Sequence, residues 1–118
     1  MPTYTNKRMY LLVEVHELYS FEMLREAVHQ IAVHCKKENL NKVLVDLTNM
    51  NGDFNILDRY KIGLEIANTW ERGVQVAAVA KENQVNFLVE NVAVNRGSTL
   101  SVFTKIDPAL KWLQINQE

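Results

Sequence analysis

The chain has 118 residues, a formal net charge of -1 and 47% apolar residues. That length fits one domain, 1–118, with enough core to fold without disulfide staples. The charge balance excludes a basic nucleic-acid stripe as the main binding feature, and Lys36-Lys37 is the densest cationic pair.

Met1 to Arg8 is polar, with no apolar segment behind a basic start, and no apolar run approaches the roughly 20 residues of a membrane span. Cys35 is alone, so no internal disulfide forms. These features predict a cytoplasmic protein.

Met9 to His16 is rich in Leu and Val and predicts the first strand. Ser20 is placed to cap the following helix, whose apolar positions are Phe21, Leu24, Val28, Ile31, Ala32 and Cys35. Asn39 and Asn41 punctuate its end. Val43 to Thr48 predicts strand two. The turn-rich Asn49-Met50-Asn51-Gly52-Asp53 leads to helix two, Asn55 to Glu71, stopped by Gly73. Val74 to Ala80 predicts strand three, apolar on both faces and so buried between two layers. Helix three is expected over Gln84 to Arg96, and Gly97 supplies its left-handed C′ residue. Thr99 to Thr104 predicts strand four. Asp107-Pro108 then opens helix four as cap and first helical residue.

Alternating units of this length imply a mainly parallel sheet with right-handed crossovers. The expected spatial order of the four strands is 2-1-3-4. Helices one and four then share one face, and helices two and three the other. Tyr4 leaves room for a short extra edge strand.

The segments VLVDLTNMNG, RGVQVAAVA, ENVAVNRGSTLSVF and DPALKWL occur in that order between Tyr10 and Leu113. Together they resemble the STAS-like (SpoIIAA-like) superfamily, in particular its small stand-alone bacterial branch grouped with CRAL-TRIO lipid-binding domains. The resemblance implies a compact α/β sandwich that binds or regulates and does not catalyse. In anti-sigma-factor antagonists of this superfamily a serine at the start of helix two is phosphorylated. The matching segment here, Asp53-Phe54-Asn55-Ile56, holds no serine or threonine. The phospho-switch is therefore not expected, although a partner surface at the helix start is.

On helix two a core stripe can be drawn through Leu57, Tyr60, Leu64 and Ala67. Ile62 then faces outward with Ile66 at its flank. The expected surface for a protein partner, or for a second copy in a homodimer, comprises Phe54, Asn55, Arg59, Ile62 and Ile66. A second expectation is a small apolar or lipid ligand at the strand-order switch, lined by His16, Glu17, Lys81 and Asn83. A third is acid–base chemistry from Glu14, His16 and Asp46, which with Thr48 share one polar sheet face. The plainer reading of that face is ordinary hydrogen bonding. The sequence holds no nucleophile elbow, P-loop or dinucleotide fingerprint, so no catalytic residue or cofactor is assigned. No metal is expected: His29 and His34 are five residues apart and point away from each other on a helix.

Overall fold

A computed structural model describes residues 1–85 and 87–115. It shows one α/β domain built on a five-stranded sheet. The strands are β1 (Thr3–Asn6), β2 (Leu11–Glu14), β3 (Lys42–Asp46), β4 (Gln75–Val79) and β5 (Thr99–Phe103). The helices are α1 (Phe21–Glu38), α2 (Ile56–Thr69), α3 (Leu88–Asn95) and α4 (Ile106–Trp112). β1 is the short edge strand around Tyr4. It runs antiparallel to β2, with Tyr4 opposite Val13. The remaining strands are parallel in register, with Val13 beside Val45, Val45 beside Ala78, and Ala78 beside Val102.

The spatial order is β1-β2-β3-β4-β5, which corrects the expected 2-1-3-4 order. Each parallel strand is laid beside the one before it. Right-handed crossovers that always step the same way put every connecting helix on the same face. Accordingly α1, α2 and α3 close over Leu11, Val13, Val15, Val43, Val76 and Leu100. Only α4 lies on the other face, where Ala109, Leu110 and Leu113 pack on Leu44, Ala77 and Val79. The expected pairing of helices across the sheet required a reversal of direction that this chain does not make.

Local signals explain most element ends. Ser20 Oγ accepts from Met23 N at 3.1 Å and starts α1. Asn39, left-handed at φ 55°, ends it. Asn55 Oδ1 accepts from Asp58 N at 2.9 Å and starts α2. At the end of α3, Gly97 takes φ 100°. Its N–H donates to Val94 O, and Ser98 N donates to Ala93 O, both at 3.0 Å. This double bond pattern is a Schellman stop, so Asn95-Arg96-Gly97 ends a helix.

Two expected boundaries are corrected. Helix three is shorter than Gln84–Arg96: Glu82–Gln84 forms a separate 3-10 turn, and Val85, extended at ψ 125°, breaks the helical path before α3. Asn86, inside that expected helix, lies outside the described residues. α4 begins at Ile106, with Lys105 in the capping position, so Asp107 is a first-turn residue and not the cap.

Candidate functional site

In a parallel sheet, the loops that follow the strands all gather at its carboxyl end. Here those loops carry exposed Leu18 after β2, Ile56, Leu57 and Tyr60 at the start of α2, Phe87 after β4, and Ile106 after β5. Ile56 is 69% exposed, Leu57 61% and Tyr60 42%. Three large apolar side chains thus stand in water within two turns of one helix.

This reverses the expected faces of α2. Ile62 and Ile66 are each only 4% exposed and belong to the core. The buried stripe runs through Ile62, Gly63, Ile66 and Trp70, while Leu57 and Tyr60 face outward. Two contacts set this rotation. Gly63 lies against α3 so closely that a Cβ there would sit 2.8 Å from Val92 Cβ. Trp70 Nε1 donates to Val28 O at 3.0 Å, tying the helix end to α1. Of the expected partner residues, Ile62 and Ile66 are therefore removed from the surface by burial. Phe54, Asn55 and Arg59 remain at the helix start.

That start is built as a stack. Tyr19 lies on Phe54 with ring centroids 4.9 Å apart. The Arg59 guanidinium covers the Phe54 ring at 4.5 Å. Arg59 Nε donates to Phe54 O at 2.6 Å and Nη2 donates to Gln84 O at 3.1 Å, so one side chain bridges the loops after β3 and β4. No carboxylate among the described residues lies within ion-pair distance of Arg59. Desolvation draws its pKa down, opposed by the nearby charge of Asp53. The adjacent Asp58 is engaged elsewhere: it accepts from Tyr19 Oη at 2.7 Å and from Asn55 Nδ2 at 3.3 Å. Burial first, and that hydrogen bond second, push the Tyr19 phenol up.

Beneath Arg59 the core is incompletely filled. A cavity of about 100 Å3 lies between the sheet and the three helices. Val15, Val28, Ile62, Phe54, Arg59 and Gln84 are among its lining residues.

The polar residues expected to act together do not converge. β3 separates β2 from β4, so no strand-order switch opens a crevice between His16 and Lys81. Lys81 Nζ instead donates to Asn51 Oδ1 at 2.9 Å. Asn51 N donates to Glu17 O at 3.3 Å. Glu17 Oε1 lies 2.9 Å from the Met1 amine, an electrostatic contact without hydrogen-bond direction. Asn83 is exposed in the 3-10 turn. Glu14 and Asp46 are register neighbours on the face that carries α4, but Asp46 Oδ1 is occupied by Thr48 N at 3.0 Å and Thr48 Oγ1 at 2.6 Å. Exposed His16 makes no hydrogen bond or ion pair with either carboxylate among the described residues.

The other histidines brace the scaffold. His34 Nδ1 meets Glu38 Oε2 at 2.8 Å, and Tyr4 stacks on the His34 ring at 4.7 Å. The bond to His34, and then one from Asn6, hold the Glu38 carboxyl below its usual range. His29 Nε2 meets Glu65 Oε2 at 2.9 Å and joins α1 to α2. Burial pushes the Cys35 thiol up to about 11. Among the described residues, no group of three or more His, Cys, Asp or Glu side chains is placed to hold a metal ion. No helix among them is long and apolar enough to cross a membrane.

No protein-family model matches the chain, and no curated protein matches it.

Proposed function

We propose that this protein is a non-enzymatic interaction domain of the STAS-like type, which engages a protein partner through the start of α2 without a phosphoserine switch. The observation that carries this is the exposed apolar group Ile56, Leu57 and Tyr60, projecting from the helix whose opposite stripe is buried. An apolar centre with a charged rim is the usual anatomy of a recognition surface; exposed Lys61 supplies a cation beside it.

Two further features support the reading. The single mainly parallel sheet with flanking helices agrees with the architecture that the resemblance implies. At the start of α2 the segment Asp53-Phe54-Asn55-Ile56 offers no hydroxyl, while Thr48 is already bound to Asp46. Non-enzymatic action is supported by the engagement of Asp46 with Thr48 and by the lack, among the described residues, of a bond from His16 to Glu14 or Asp46.

The test compares Leu57→Asp with Val33→Asp, which alters an exposed apolar residue on α1. Each variant is used to capture proteins from an extract of the source cells. The reading predicts a discrete partner retained by the wild type and Val33→Asp but lost with Leu57→Asp. Identical capture by all three would overturn it.

A further inference from the structure

Protein interiors pack to crystal-like density, with few voids larger than one water. The cavity of about 100 Å3 under α2 departs from that norm, and aliphatic side chains of α1, α2, α3, β3, β4 and β5 make up most of its wall. An apolar cavity of roughly 150 Å3 stays dry and accepts a benzene-sized guest. By that scale this one takes about four or five carbon atoms.

Its edge is not apolar. Arg59 borders the same space, half-buried, with its guanidinium held flat over Phe54 and two donors fixed on the carbonyls of Phe54 and Gln84. A guanidinium removed from water without an anion is costly unless something compensates it. The carboxylates nearest in sequence do not pair with it: Asp58 is held by Tyr19 and Asn55, and Asp53 acts only at longer range. Two of the five N–H donors of Arg59 are used by the Phe54 and Gln84 carbonyls, and the side chain stands at a void whose lining is otherwise mostly hydrocarbon. Guanidinium donors suit a carboxylate better than any neutral group.

We propose that the cavity is a binding site for a short-chain carboxylic acid, with a hydrocarbon end of about four or five carbons inside and its carboxylate on Arg59. Long fatty acids do not fit the volume. The site lies inside the domain, between the sheet and α1, α2 and α3, whereas Leu57, the residue that tests the partner surface, is exposed and does not line it. Its failure and that of the partner surface are therefore separately visible.

The experiment titrates methyl-labelled full-length protein with isovalerate, with its uncharged analogue isovaleramide, and with palmitate, following methyl resonances by NMR. The expected result is saturable shifts centred on Val15, Val28 and Ile62 with isovalerate, at least tenfold weaker binding of isovaleramide, and no competition by palmitate. Arg59→Gln should lose at least tenfold in isovalerate affinity, and Arg59→Lys should recover part of it. The acid–amide comparison needs only the wild-type protein, so the proposal stays testable if an Arg59 variant fails to fold. Equal binding of acid and amide would leave Arg59 a strut between two loops and overturn the proposal. So would shifts remote from the cavity, displacement by palmitate, or no saturable shift.

Discussion

On one face of the sheet, three helices close over Leu11, Val13, Val43 and Val76 and leave a cavity of about 100 Å3. On the other, α4 alone settles on Leu44, Ala77 and Val79, with Leu113 fully buried and Leu110 nearly so. Connectivity accounts for the difference. Neighbouring strands lie roughly 4.8 Å apart, so four parallel strands span about 14 Å. Three helices side by side need roughly 16–20 Å. α1, α2 and α3 are each tied to a strand at both ends, so they cannot all settle freely on the sheet. The crowding is visible where Gly63 lets α2 approach Val92, and the gap lies beneath the same helices. Among the described residues α4 is tied to the sheet through β5 alone, and it can adjust until its side chains fit. The over-constrained face is also the one that carries Arg59 and the exposed apolar start of α2.

The comparison can be broken most strongly on the α4 side. Leu113 is fully buried, so Leu113→Ala should lose about 2–5 kcal/mol in denaturant unfolding, as buried leucine truncations do. A loss under about 1 kcal/mol would mean that α4 is not packed as described.

A matched pair sharpens the contrast between faces. Val79 belongs to the α4 core, while Val15 lines the cavity. Val79→Ile should cost about 1–3 kcal/mol by overpacking, whereas the extra methylene of Val15→Ile has space and should cost nothing measurable. Equal losses in the two variants would deny the packing difference.

Smaller effects are expected at the cap of α2. Asn55→Ala removes the acceptor for Asp58 N and should destabilise by about 1 kcal/mol. An unchanged unfolding midpoint would show that the α2 start is held by the Tyr19–Phe54–Arg59 stack alone.

The mildest effect is at the sheet edge. Desolvation first, and then the charges of Glu26 and Glu17, push the Tyr4 phenol up to about 12 from 10. The unfolded chain therefore loses this proton more readily than the native state. Tyr4's contribution is intact below pH 10 and fades as pH rises towards 12. In ultraviolet titration the wild type should show one more late-ionising phenol than Tyr4→Phe, beside that of Tyr19. Ionisation of all the tyrosines together near pH 10 would contradict it.

Much of this architecture is legible in the sequence because local chemistry determines it. Ser20, Asn39, Asn55 and Gly97 each announce a helix end by a side-chain acceptor or a left-handed backbone. Strand order is less legible, since every crossover obeys the same handedness whichever way it steps. α2 shows the limit of periodicity: Leu57-Tyr60-Leu64-Ala67 and Ile62-Gly63-Ile66-Trp70 are both apolar stripes at helical spacing. The second is buried because Gly63 permits close contact with α3 and Trp70 reaches Val28 O. A glycine inside a helical stripe was the available sign of a tight crossing. Arg59 was legible as a residue of the helix start, but not as a bridge between two loops, because Gln84 lies 25 positions away.

The most direct test of the proposed partner surface is site-specific photocrosslinking in source-cell extract, with a benzophenone side chain placed at Leu57 and, as control, at Val33. The account predicts a discrete adduct of defined mass from position 57 and none from position 33. The same diffuse products from both positions, or an adduct from position 33 alone, would contradict it.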